Sequence, residues 1–300
     1  AGLEDPALRF RDKQLPLLTA GYRHHWRPGS DTLMLAARLE DESSQDNSRS
    51  TIPALVQEPD GRYTKFPYNP AVFGADINRI PAGTASRNRF DLYHFEIAHL
   101  EGGERLSLQV GARAQRGTFK ARSRVIPYIT DPNLILLMAN PSDTAVHETF
   151  QRESAYGYLT WKFAPGWSAL AGVSGDRVEY PSNLFTIPLT PGSAERNRVS
   201  PKVGLVWEPG ERWSLRAAHA ESIGGLTFEE SFRLEPVQFA GFTQGVRSLI
   251  PEAVGANSAA PKFDVDGGGA TLKWAGRFYL AVEGKERRSD APQVHGIFAV

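Results

Sequence analysis

The feature that most constrains this chain is a two-residue alternation that arrives in pairs, each pair joined by a short turn. Successive side chains of a strand point to opposite faces, so such alternation marks strands with unlike faces. Leu18, Ala20, Tyr22, His24 and Trp26 share one face; Thr19, Gly21, Arg23, His25 and Arg27 share the other. Past Pro28-Gly29, Leu33, Leu35, Ala37 and Leu39 alternate with Met34, Ala36, Arg38 and Glu40, and the apolar set reads as the outward one. A second pair sets Tyr93, Phe95 and Ile97 against His94, Glu96 and Ala98, then Leu106, Leu108 and Val110 against Gln109, Gly111, Arg113 and Gln115. The third and fourth pairs run through Trp161 and Trp167, and through Trp207 and Trp213. The fifth passes Trp274, and Val294 to Val300 reads as the start of an eleventh strand. Strands of about 10 to 14 residues exceed the ~5–6 usual in soluble sheets and match a tilted bilayer crossing.

The turns add a second constraint. Links inside a pair take about three to five residues, whereas links between pairs are long: roughly 44–88, 121–149, 181–197, 223–260 and 286–293. In an up-and-down barrel alternate links lie on opposite sides, so all short turns fall on one side and all long loops on the other. The six tryptophans sort the same way. Trp26, Trp161, Trp167, Trp207, Trp213 and Trp274 all flank short turns, and all take the apolar face. An indole has an apolar body and a polar N–H, which suits a membrane–water interface. The expected fold is an all-β, antiparallel, up-and-down transmembrane β-barrel, with about 10–12 strands present in residues 1–300 as one region, part of a larger barrel. Arg23, His25, His94, Glu96, Arg113, Gln115, Lys202, Arg216 and Lys273 are expected to face its lumen. Their cations would favour anions, but Glu96, Glu208 and Glu283 offset them, so weak selectivity is expected. A soluble β-sandwich or propeller that binds carbohydrate on its tryptophans shares the alternation and is the competing fold.

Composition narrows the function. The 34 basic residues balance 34 acidic ones, so a nucleic-acid partner has no motive. Cysteine is absent, which removes thiol nucleophiles, disulfides and cysteine metal sites. Enzyme motifs fail on inspection. His147-Glu148-Thr149-Phe150-Gln151 lacks the second histidine of a zinc-protease helix. Gly172-Val173-Ser174-Gly175 lacks the spacing of a nucleophile elbow, and Asp264-Val265-Asp266-Gly267 lacks the later ligands of a calcium loop. His24 and His25 point to opposite faces and cannot share one ion. No cofactor, metal or catalytic residue is expected. Gly267-Gly268-Gly269 reads as a bend or a place of close packing. Two apolar loop pieces, Leu134–Met138 and Phe239-Ala240-Gly241-Phe242, are expected to fold inward over the pore mouth, to meet a partner, or to pack on each other outside.

Ser200-Pro201-Lys202-Val203-Gly204-Leu205-Val206-Trp207-Glu208-Pro209, then Trp213-Ser214-Leu215-Arg216-Ala217-Ala218-His219-Ala220-Glu221-Ser222, resembles the barrel of TonB-dependent outer-membrane receptors. Leu234-Glu235-Pro236 looks like that family's Leu-x-Pro-Glu segment before the next strand. The likeness is sharpest over about 196–240. It departs where Ala240-Gly241-Phe242 stands for the family's Glu-Leu-Gly, and where Phe298 is followed by Ala299-Val300. No plug or TonB box precedes the barrel, so a fragment or a divergent relative is expected. The resemblance implies a bacterial outer-membrane barrel for uptake or passage of a solute. Its partners would be outer-membrane lipid, an unidentified solute and a TonB-type energising protein reached through an N-terminal part. Similar barrels also follow tetratricopeptide domains in envelope export proteins, so a porin-like export barrel is the alternative.

Overall fold

In the computed structural model, the described residues are 7–14, 18–53, 55–57, 59–60, 63–65, 79–127, 142–183, 189–224, 233–244, 260–274 and 278–290. They form strands β1 Leu8–Gln14, β2 Leu18–Arg27, β3 Ser30–Pro53, β4 Leu55–Gln57, β5 Tyr63–Lys65, β6 Arg79–Gly102, β7 Leu106–Pro127 and β8 Ser142–Ala164. There follow β9 Trp167–Pro181, β10 Ser193–Gly210, β11 Trp213–Ile223, β12 Gln238–Phe239, β13 Phe242–Thr243, β14 Lys262–Trp274 and β15 Phe278–Asp290.

One antiparallel sheet carries nearly all of them, in the order β3-β6-β7-β8-β9-β10-β11-β14-β15. β2 and β1 lie end to end along the free side of β3, β2 against Ser30–Arg38 and β1 against Asp41–Asn47. Apart from β1, which pairs with β3, and the separate hairpins β4–β5 and β12–β13, each strand pairs with the strands before and after it in this sheet, as an up-and-down barrel wall requires. Among the described residues, β2 and β15 have no further partner strand. All five predicted hairpins are present. Val294–Val300 and Leu134–Met138 lie outside the described residues.

Two readings of the strands change. First, the strands run well past the expected loop boundaries. β3 continues to Pro53, β6 begins at Arg79, β7 reaches Pro127, β8 begins at Ser142, β10 at Ser193, and β15 extends to Asp290. Second, β3 presents its leucines inward. Leu35 pairs with Glu96 and Ala37 with His94, so Leu33, Leu35, Ala37 and Leu39 share the concave face, and Met34 and Ala36 face out.

The register explains both differences, because the polarity of the two faces inverts partway along each strand. Near the short turns the outer face is apolar: Leu106, Leu108, Val110, Ala112 and Ala114 on β7. Above Ala114 the same face turns to Arg116, Thr118, Lys120, Arg122 and Arg124. The neighbours switch at matching heights, at Asp91 on β6, Glu153 on β8 and Arg177 on β9. The eight steps from Leu106 to Ala114, at ~3.3 Å each and tilted ~40°, give roughly 20 Å, close to the ~25 Å apolar band of an outer-membrane barrel.

Inside, the order is reversed. At the height of the apolar band the concave face carries His94, Glu96, Arg113, Gln115 and Lys202, all buried. Above it sits an apolar core of Leu39, Phe90, Leu92, Phe119, Val146, Phe150, Val178 and Tyr180. Phe90 meets Phe150 edge-on at 6.0 Å and Phe119 at 6.4 Å. An alternation search for one apolar and one polar face loses the strand at this inversion. Ser43 to Arg49 is polar on both faces and gives no signal at all.

Candidate functional site

The concave face is not an empty channel. Residues 233–244, from the link between β11 and β14, dock on it. This segment contains the small hairpin β12–β13, whose two-residue turn is Ala240-Gly241, both at positive φ (48° and 84°). A turn of this kind matches the twist of the flanking strands but strains any residue with a Cβ, here Ala240.

Glycines on the wall make room for the hairpin. A Cβ on Gly267 would lie 2.6 Å from the Phe242 ring, and one on Gly204 would lie 2.8 Å from Ala240 Cβ. Gly111 and Gly172 leave space in the same way for Tyr156 and Tyr158, at 2.5 and 2.8 Å. Close packing, not a bend, is therefore the role of Gly267. Phe239-Ala240-Gly241-Phe242 folds inward, one of the outcomes expected of it, and Phe239, Ala240 and Phe242 are buried there.

Charged and polar groups hold the segment. The fully buried Glu96 accepts the backbone N–H groups of Leu234 and Glu235, each at 2.9 Å, and the Tyr156 hydroxyl at 2.8 Å. Glu235 in turn accepts the Tyr158 hydroxyl at 2.6 Å and faces the Arg113 guanidinium at 3.4 Å. Gln109 donates to the Leu234 carbonyl, and Ser222 to that of Gln244. Beside this, Arg152 binds Asp176 at 2.7 Å and donates to the Ile223 carbonyl, and Ser154 donates to Asp176 at 2.6 Å. Lys202 donates to Ser174 and stands 5.2 Å above the Tyr158 ring. A buried charge stripped of its partner costs several kcal/mol, so this cluster fixes one geometry for wall and segment.

All nine residues expected in the lumen lie on the concave side by register, but they divide into three groups. His94, Glu96, Arg113, Gln115 and Lys202 come together; Gln115 is within 3.0 Å of His94 Nδ1, whose Nε2 is 3.4 Å from Glu96. Arg23 and His25 stand apart on the edge strand, exposed, both on Asp31. Arg216 covers the Phe242 ring at 5.4 Å and donates to Glu283, and Lys273 is exposed near the turns. Tyr156, Tyr158, Arg152, Asp176 and Gln244 are not marked as site residues by the sequence, and Glu235 enters there only within Leu234-Glu235-Pro236. The first four share the face opposite the tryptophans of the third hairpin, and that was the available signal. Glu235 and Gln244 lie in a loop, where alternation says nothing.

The six tryptophans all lie on the outer face at the short-turn end. Trp26, Trp161, Trp213 and Trp274 are exposed, and Trp167 stacks on its cross-strand partner Trp207 at 5.2 Å. His24 packs edge-on against Trp26 outside, while His25 bonds Asp31 inside, so the two histidines do part. Among the described residues no group of three His, Asp or Glu is placed to hold a metal ion. No helix of the described residues is long and apolar enough to cross a membrane, which leaves crossing strands untouched.

One continuous sheet with an apolar outer band and a charged, filled interior is the wall of an outer-membrane-type β-barrel; it is not a two-layer sandwich or a propeller. The family described as TonB dependent receptor-like, beta-barrel, matches residues 5–261, and the chain belongs to it. It is thereby a member of a bacterial outer-membrane transport family. Among solved structures, the chain superposes over 94% of its length on the ferric yersiniabactin uptake receptor FyuA from Yersinia pestis, with TM-score 0.53, 14% identity and 36% of that receptor covered. The copper transporter OprC gives TM-score 0.52 and 13% identity, over 90% of this chain and 37% of that one. The ferric citrate transporter FecA gives 0.50 and 13%, over 89% and 33%. At these identities the likeness is one of fold, and the chain spans about a third of each receptor. No curated protein matches it.

Proposed function

We propose that this chain forms part of the wall of an outer-membrane barrel that takes up a solute, with residues 233–244 narrowing the passage from within. The observation that supports it is the pairing, on the same strands, of a lipid-type outer band with a buried charged interior that grips a segment of the chain itself. The tryptophans then act as the interfacial girdle on the short-turn side, and the concave cations and carboxylates as the lumen wall. The fold neighbours carry ferric chelates, ferric citrate and copper, which makes metal chelates the first solutes to try. A TonB-type partner would supply the energy, acting on parts of a longer protein.

The test is accumulation of labelled ferric and cupric chelates by cells that express the full-length protein, with and without a protonophore. Uptake that the protonophore abolishes supports energised import. Outward movement of solute, or uptake indifferent to the protonophore, overturns it in favour of the export barrel or a passive pore.

A further inference from the structure

On the outer face of the protruding wall, β3, β6, β7 and β8 enclose a groove of about 410 Å³ lined by Arg87, Arg89, Lys120, Arg122, His147 and Glu42. The register sets like charges opposite each other. Arg87 pairs directly with Arg122, and Arg89 with Lys120, which pairs in turn with His147. Like charges directly opposite on one face of a sheet are destabilising. Some of this charge is met within the protein: Arg89 by Glu40, and Arg122 by Asp143 at 2.6 Å. Among the described residues, Arg87 and Lys120 make no ion pair, and both are exposed. Arg38 and Arg116 stand below them at the upper edge of the apolar band, and Arg124 above. The chain has no net charge, so a cluster of this sign is a local arrangement.

We propose that this groove binds the phosphorylated headgroup of outer-leaflet lipopolysaccharide. The inference rests on the outer-membrane placement above, with the long loops outside. Lys120 lies six residues above Ala114, roughly 15 Å beyond the apolar band at ~3.3 Å per residue and ~40° tilt. The cations from Arg116 to Arg124 thus span several depths. A phospholipid carries its phosphates at one depth, whereas lipopolysaccharide carries them on the lipid anchor and again on the core sugars above. Anionic oxygens between Arg87, Arg122 and Lys120 would convert a repulsive arrangement into charge-assisted hydrogen bonds.

The experiment compares the full-length protein with the double variant Arg87→Ser/Lys120→Ser, each stripped of lipid in detergent and titrated with lipopolysaccharide. Bound lipid is counted by native mass spectrometry, and the unfolding temperature is followed in parallel. At ~1 kcal/mol per cation near an anionic surface, the variant should bind at least about tenfold more weakly. Without lipopolysaccharide it should be as stable as the parent or more so, because the repulsion is gone; this also shows that it folds. Dephosphorylated lipopolysaccharide and phosphatidylglycerol vesicles should bind the parent no better than the variant. Equal lipopolysaccharide affinity in parent and variant overturns the proposal. Undiminished binding of the dephosphorylated form, or full displacement by millimolar inorganic phosphate, also overturns it.

Discussion

The lower and upper halves of the same strands solve opposite problems. Below Ala114 and Tyr93 the sheet is apolar outside and charged inside; above them it is charged outside and apolar inside. The solvent explains the exchange. The lower outer face meets hydrocarbon, and its inner face must satisfy buried charges with one another. The upper outer face meets water, and its inner face can form an ordinary core around Phe90, Phe119 and Phe150. One strand therefore crosses two environments, and neither half alone describes it.

Substitutions on each quarter of that arrangement sharpen or break it. The largest effect is expected inside the upper half. Phe150→Ala empties a fully buried site and should cost ~3–5 kcal/mol, measured by urea unfolding in lipid vesicles. A cost below 1 kcal/mol would mean the upper core is not packed. Outside the lower half, Val110→Arg, at the centre of the apolar band, should cost ~2–4 kcal/mol in the same assay, as for a cation near the bilayer midplane. Thr118→Arg, on the same face but above the band, should stay within ~0.5 kcal/mol. Equal costs for these two would erase the boundary between the halves. Inside the lower half, Tyr158→Phe leaves Glu235 short of a hydrogen bond and should cost ~1–3 kcal/mol. It should also speed proteolysis within 233–244, read by limited digestion.

The smallest effect belongs outside the upper half. The Arg122 guanidinium beside Asp143 holds its carboxyl below the usual aspartate range. Its contribution is present above the unfolded aspartate value and is lost as pH falls through the depressed folded value. The pair is fully exposed, so Asp143→Asn should leave the acid limb of a urea-midpoint curve almost unchanged. A clear loss of acid sensitivity in that variant would show that this surface pair matters more than exposure allows.

The lower half was the legible half. Its alternation, turns and tryptophans specify five hairpins with the correct outer residues, except on β3. There Leu33, Leu35 and Leu39 look like a lipid face, yet pack against the concave side. Apolarity alone does not tell lipid from core, and only the partner strand's register does. The upper half escaped because alternation there is inverted or, around Ser43 to Arg49, missing. Five of the nine concave residues converge on one cluster, since period 2 fixes their face. Their partners Glu235 and Gln244 come from a loop whose path depends on glycine gaps at Gly204 and Gly267 in three dimensions.

The grip of Glu96 on Leu234 and Glu235 spans 138 and 139 residues of sequence, while, β1 against β3 apart, the pairings along the sheet join consecutive strands of that sheet. Strands of this wall can therefore zip together one hairpin at a time at small entropic cost, but the inner segment must wait for β6 through β11 to be in place. Assembly of this wall thus has a required order, with the sheet formed before its interior is filled.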